Sequence, residues 1–351
     1  MIKSTLLASL FASMIGLGLV PAGAQTSFKA GVTRRLFVPA EPHEWRGDTK
    51  HALATTIWYP ADAAAEEQPR VLGPPGNPLF ESGHPAADAA LASTPAQFPL
   101  IVLSHGIGGT AGSLAWLGTA LARAGYVAAA VNHPGNNAIN GYTVEGFTLW
   151  WDRARDLSAI IDSMLAEPIF TARIDPNRIG AAGFSLGGYT MIAIAGGITS
   201  RAHYREFCAP AQAEASCEAP PEFGDLRAKA KALADSDEEF RAALATDSRS
   251  YRDRRISAVF AMAPALGPAL LPESLERIDI PVAIVAGAAE AIAPIDSNAR
   301  SYAAHIPGAE LTIFPGAVGH YVFTVNCTEA GRATVPAMPR RTRCRPRRHS
   351  C

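Results

Sequence analysis

Short uninterrupted apolar runs alternate along the chain with stretches in which apolar residues recur at helical spacing. Pro99-Leu100-Ile101-Val102-Leu103 has the unbroken apolar character of a strand buried on both faces of a parallel sheet. Leu114, Leu117 and Leu121 then predict a helix that stops at Gly125, and Tyr126 to Val131 returns as a second buried strand. Leu157, Ile160, Ile161, Met164 and Leu165 mark the inner face of a helix starting near Trp150, which leads into a strand-like run ending Arg178-Ile179-Gly180-Ala181-Ala182. Strand, helix, strand, helix, strand predicts an α/β class with a mostly parallel, doubly wound sheet.

The flanks depart from that alternation. Leu36 to Pro60 predicts an N-terminal antiparallel hairpin whose second strand is Ala52 to Tyr59, ended by Pro60. Ala61 to Gln97, rich in Pro, Gly, Ala and Asp without periodicity, reads as a long surface loop. Thr199 to Arg255 is charged and helix-prone, a helical insertion over the sheet, with Ser236 and Glu239 at capping-box spacing. Strands resume at Ile256 to Met262, Pro281 to Gly287 and Glu310 to Phe314, with a helix from about Ser297 to His305.

With 351 residues, of which 48% are hydrophobic, the chain is long enough for a full core. The formal charge of -1 conceals seven arginines and no acidic residue over 331–351, so the body ahead of them is acidic, which argues against nucleic acid as a partner. Met1-Ile2-Lys3, an apolar run from Leu6 to Val20 and Pro21-Ala22-Gly23-Ala24 read as a cleavable signal peptide, with the mature chain starting at Gln25 in the periplasm or outside the cell. The apolar run is short for a membrane span, and no other segment offers one. In an oxidising compartment Cys208 and Cys217 are expected to pair, and Cys327, Cys344 and Cys351 leave an odd one. The expected organisation is a signal peptide over 1–24, one α/β domain over 25–330 with its helical insertion at about 199–255, and an Arg/Pro-rich, disordered tail over 331–351. From Arg332 onward Val335 and Met338 are the only large aliphatic side chains, among Pro336, Pro339 and Pro346. Such a shift points to sequence outside the original reading frame, and hence an impaired gene product; a basic tail tethered to an anionic surface is the alternative.

Gly183-Phe184-Ser185-Leu186-Gly187-Gly188 lies between a strand and a helix, the context of a G-x-S-x-G nucleophile elbow. A serine hydroxyl is a poor nucleophile at neutral pH and needs an imidazole to take its proton and a carboxylate to orient that imidazole. His320, in a Gly-rich loop after the last apolar strand, fits the base, and Glu290, just past a strand end, is the first choice for the acid; Asp296 is the second. Backbone N–H groups of Leu186 and of Ile107, in His105-Gly106-Ile107-Gly108-Gly109, are the expected oxyanion donors. His105 is read as structural, and His105 and His133 as candidate pocket lining. No motif implies a metal or cofactor.

Trp58-Tyr59-Pro60, Ser104-His105-Gly106-Ile107-Gly108-Gly109, His133-Pro134-Gly135-Asn136, the elbow itself and Gly319-His320-Tyr321-Val322-Phe323 together resemble the exported bacterial group called predicted dienelactone hydrolases, which is similar to platelet-activating-factor acetylhydrolases. The resemblance spans about Leu36 to Cys327. It implies an α/β-hydrolase fold and a serine esterase working through an acyl-enzyme on a small-molecule or lipid ester. True dienelactone hydrolases use a cysteine nucleophile, and position 185 is serine, so the lactone does not carry over. Platelet-activating-factor acetylhydrolases place their acid after the preceding strand, where Met262 to Gly267 here holds no carboxylate; that favours Glu290. A non-catalytic binding protein on the same fold is the other reading. Oligomeric state is not legible.

Overall fold

Phe98 to Ser104 form a strand in which all seven residues are buried, and alternate side chains enter different cores. Leu100 and Val102 pack with Leu157, Ile160, Ile161 and Met164 on one face of the sheet. Ile101 and Leu103 pack with Leu114, Leu117 and Leu121 on the other. An unbroken apolar run is therefore the two-residue period of a strand with helices on both sides.

The computed structural model of the chain describes residues 27–39, 52–209 and 214–334. The expected signal peptide, Cys344, Cys351 and the tail beyond Thr334 lie outside the described residues. In chain order the strands are β1 (Lys29–Phe37), β2 (Leu53–Ala61), β3 (Val71–Leu72), β4 (Phe80–Glu81), β5 (Ala86–Ala87), β6 (Phe98–Ser104), β7 (Val127–Val131), β8 (Asn136–Asn137), β9 (Gly141–Tyr142), β10 (Ile174–Phe184), β11 (Ile256–Met262), β12 (Val282–Gly287), β13 (Glu310–Phe314) and β14 (Asn326–Cys327). Nine of them make one sheet in the order β13-β12-β11-β10-β6-β7-β2-β1-β5. From β13 to β7 every pairing is parallel, and β2 joins β7 antiparallel. After β6 the chain goes to β7 on one side and then crosses to β10 on the other. The crevice beyond the carboxyl ends of β6 and β10 is thus the topological switch point, where ligands bind in such sheets.

Helices Ala115–Arg123 and Asp152–Ala166 cover opposite faces, as their apolar stripes predict. The helix Leu186–Ala195 is buried at all ten positions, in keeping with its lack of a polar side.

Four sequence expectations need correction. The N-terminal pair begins at Lys29, ahead of Leu36, and Pro60 lies inside β2. Proline is accepted there because β7 pairs only with Thr55 to Trp58, Ala30 N–H turns to Glu67, and the Pro60 carbonyl accepts from Ala92 N–H, so its missing N–H opens no gap. Ala61 to Gln97 is not loop throughout: β3 and β4 pair with each other, β14 adds to β4, and β5 lies parallel to β1 at the sheet edge. Two-residue strands carry no readable period.

In the insertion, helices Leu226–Ser236 and Glu238–Leu244 meet at Asp237, whose carboxylate accepts the Phe240 N–H at 2.9 Å. Asp237 is the cap, and the Ser236 hydroxyl bonds back to the Ala232 carbonyl instead. Phe240 and Leu244 fasten these helices onto Leu149 and Trp151. Finally, Gly331 to Thr334 continue a helix that starts at Glu329, so the first residues of the expected tail are ordered.

Candidate active site

β10 ends at Phe184 and a helix begins at Leu186, leaving Ser185 alone in the turn with φ +57° and ψ −116°. A non-glycine residue there is strained, and the contacts around it hold it in place. A Cβ at Gly183 would sit 2.2 Å from the Gly187 carbonyl oxygen, and one at Gly187 would sit 1.9 Å from that of Ser104. Only glycine at both positions lets the elbow close onto the end of β6.

The loops after β12 and β13 bring the other two groups to the serine. His320 Nε2 lies 2.9 Å from Ser185 Oγ, and His320 Nδ1 lies 2.8 Å from Glu290 Oε2. With the carboxylate ionised, Nδ1–H donates to Glu290 and Nε2 accepts from the serine hydroxyl. Glu290 Oε1 accepts two further bonds, from the N–H of Ile292 at 2.8 Å and of Ala293 at 3.1 Å. Burial pushes the Glu290 carboxyl up, but the pairing with His320 and the two backbone donors outweigh it and hold it below its ordinary value. Asp296, the second choice from sequence, is exposed and pairs with Arg300 at 2.6 Å.

Ile107 and Leu186, the two residues expected to supply backbone donors, both border the cleft that holds Ser185 and His320. Leu186 N–H is in the first turn of its helix and has no partner within the helix. In the loop after β6, Gly108 N–H goes to Asn136 Oδ1 and Gly109 N–H to the Gly106 carbonyl, while Ile107 lines the cleft with Ser185 and His320.

The cleft, open to solvent on one side, has a volume of about 160 Å³. Its floor is the elbow and Ile107, its apolar wall includes Phe147, Trp150 and Tyr321, and residues 215–222 of the insertion form its roof. That roof is fastened at several points. Cys208 and Cys217 are joined by a disulfide, as the sequence suggested. Tyr204 Oη donates to the Ser216 carbonyl at 2.5 Å, Asn298 Nδ2 to Ser216 Oγ at 3.0 Å, and Arg227 to the Cys217 carbonyl.

His105 and His133 are fully buried and do not line the cleft, which corrects the lining role considered from sequence. His133 belongs to a second Ser-His-Asp chain that the sequence did not reveal, and His105 lies beside it. Ser104 Oγ lies 2.9 Å from His133 Nε2, and His133 Nδ1 lies 2.6 Å from Asp156 Oδ2. All three residues have zero exposure and none borders the cleft, so no substrate reaches Ser104. A signal for this cluster was available: Arg153 and Asp156 fall on the same helical stripe as Leu157, Ile160 and Met164, where a charge has to be buried and compensated.

Comparison with known proteins places these features in context. The family model for platelet-activating factor acetylhydrolase, isoform II, matches residues 31–148, a stretch that includes the loop after β6 and His133 and ends ahead of Ser185. The chain is similar in structure to a ferulic acid esterase from Streptomyces cinnamoneus, with a TM-score of 0.53 and 20% identity over 87% of this chain and 78% of that chain. At that identity the likeness is one of fold, and the fold is that of the α/β hydrolases. No curated protein matches the sequence. Among the described residues no helix is long and apolar enough to cross a membrane.

Proposed function

We propose that the protein hydrolyses carboxylic esters through an acyl-enzyme on Ser185. The observation that carries this is the continuous hydrogen-bonded chain from Ser185 through His320 to Glu290, opening into the cleft that Ile107 and Leu186 border. The two similar proteins, an acetylhydrolase family and a ferulic acid esterase by name, both point to ester cleavage.

In the first half-reaction Ser185 Oγ bonds to the ester carbonyl carbon while its proton passes to His320 Nε2. The carbonyl π electrons move onto oxygen, and the N–H groups of Leu186 and Ile107 stabilise that charge. Glu290 stabilises the imidazolium without itself taking the proton. Collapse of the intermediate expels the alcohol oxygen, which leaves with the proton from His320. In the second half, water adds to the acyl carbon, gives a proton to His320, and the acid departs as Ser185 Oγ recovers that proton.

The apolar wall of Phe147, Trp150 and Tyr321 suits an acyl or aryl group of the ester. We further propose export to an oxidising compartment, supported by the N-terminal apolar run and by the Cys208–Cys217 disulfide. A binding protein would have no use for the serine-to-imidazole alignment.

The decisive test is ester turnover by wild type and Ser185→Ala, with fluorophosphonate labelling mapped by peptide mass. The expected result is loss on the order of 10⁴ to 10⁶ in kcat, with the label on Ser185. Near-wild-type turnover by Ser185→Ala, with loss in Ser104→Ala, would move the chemistry to the buried chain.

A further inference from the structure

The peptide unit between Gly106 and Ile107 is held at its carbonyl end. His105 Nδ1 lies 2.7 Å from the Gly106 carbonyl oxygen, and Gly109 N–H donates to the same oxygen at 3.1 Å. A trans peptide is planar with C=O and N–H on opposite edges, so fixing one direction fixes the other. The imidazole lies in the interior, away from the cleft; the Ile107 N–H is therefore directed to the opposite side, where Ile107 borders the cleft. An amide whose carbonyl accepts hydrogen bonds is also a stronger donor through its N–H.

His105 is in turn oriented by the buried cluster. Its Nε2 accepts the His133 N–H at 3.2 Å, which leaves Nδ1 as the protonated nitrogen that donates to Gly106. Burial, followed by the charges of Arg153 and His133, holds His105 well below the usual histidine range, so the ring stays neutral and keeps this tautomer. Arg153 Nη2 donates to the His105 carbonyl and approaches Ser104 Oγ at 3.4 Å, and Ser104 and His133 carry the chain on to Asp156. Two consecutive carbonyls of the loop, those of His105 and Gly106, are thereby tied to one enclosed network.

We propose that His105, oriented by the enclosed Asp156–His133–Ser104–Arg153 chain, is a positioning residue that aims and polarises the Ile107 N–H for the oxyanion. The buried Ser-His-Asp chain thus serves the reaction at Ser185 without touching substrate. This inference rests on the assignment of the reaction to Ser185, and fluorophosphonate labelling of wild type and Ser185→Ala tests that assignment separately.

The test contrasts two polar replacements. His105→Asn keeps an N–H near the Nδ1 position, whereas His105→Gln offers one near Nε2 and leaves the Gly106 carbonyl to Gly109 alone. Steady-state kinetics would be measured for both and for Ser104→Ala, together with the affinity of a trifluoromethyl ketone, whose adduct with Ser185 carries an oxyanion. Deleting a single oxyanion donor lowers kcat by about 10² to 10³. For His105→Gln the expected result is a fall of at least about tenfold in kcat with KM little changed, as expected for a misaimed donor. Its ketone affinity should fall in parallel, His105→Asn should recover most of both, and Ser104→Ala should show the same pattern more weakly. Equal kcat and ketone affinity in His105→Asn and His105→Gln would overturn the inference. A loss confined to KM would do the same, and so would wild-type ketone affinity in Ser104→Ala should the His105 variants fail to fold. Failure of Ser185 to take the label would instead defeat the assignment beneath it.

Discussion

Glu290 holds His320 with one carboxylate oxygen and its own loop with the other. Oε2 faces His320 Nδ1 at 2.8 Å, while Oε1 accepts the N–H groups of Ile292 and Ala293. The acid is thus anchored to backbone on the side away from the imidazole, and its side chain is only 1% exposed. In the proposed reaction a carboxylate held in this way would orient the ring and stabilise the imidazolium without having to move.

Glu290→Gln should therefore lower kcat by about 10³ to 10⁴, since an amide can present its N–H and stabilise the wrong tautomer. Asp296→Asn should leave kcat within about twofold, because it removes only an exposed pair with Arg300. Parallel kinetics on the two variants decide the matter, and the reverse ranking would move the acid to Asp296.

Ser185 and His320 act as one unit if the hydrogen bond between them carries the proton transfer. Ser185→Ala, His320→Ala and the double variant should then show nearly the same residual turnover, because neither group catalyses without the other. Multiplicative losses in the double variant would mean that the two residues act independently.

The elbow and the late histidine were legible because the chemistry demands small residues and a fixed chain order around them. Glycines at 183 and 187 are required because a Cβ there would come within 2.2 Å and 1.9 Å of neighbouring carbonyl oxygens, and such positions leave a mark in sequence. Glu290 was legible from its place just past a strand end, and the absence of a carboxylate after β11 favoured it further. What stayed illegible depends on side chains that meet only after folding. Ser104, His133 and Asp156 come from a strand end, a loop and a helix, and nothing in their spacing announces contact. The pairing of β14 with β4 joins segments more than 240 residues apart through two residues each, too short to carry a period. Position 237 was misjudged in favour of 236 because both residues can cap a helix and only backbone geometry separates them.

The disulfide should matter for selectivity more than for chemistry. Cys208–Cys217 closes a short loop, with a separation of 9 residues, at the base of the segment that roofs the cleft. Chain-entropy reasoning gives it about 2 to 3 kcal/mol. Cys217→Ala, or reduction of the wild type, should raise KM for the preferred ester and flatten the dependence of kcat/KM on acyl length, with kcat changing less. Kinetics on a series of esters of increasing acyl length would show it, and an unchanged acyl-length profile in the reduced protein would contradict it.

The buried histidine also sets a pH dependence of stability whose sign can be worked out. His105 is held well below 6.5 in the folded protein, by burial first and then by Arg153 and His133. The unfolded chain carries an ordinary histidine, so below about pH 6.5 it binds a proton that the native state does not. Stability from this source is complete above that value and is lost as pH falls towards the folded-state value, at no more than about 1.4 kcal/mol per pH unit for one proton. Glu290 acts lower on the scale: its folded-state value is lowered from 4.5, so its contribution is present above about 4.5 and disappears as pH falls through the folded-state value. Denaturant unfolding at pH 7.5, 6.0 and 5.0 should show wild type losing stability across this range and His105→Asn losing less, since asparagine does not titrate. Equal losses in the two proteins would mean that His105 is protonated in the native state. The neutral tautomer that donates to Gly106 would then not be the one present at acid pH.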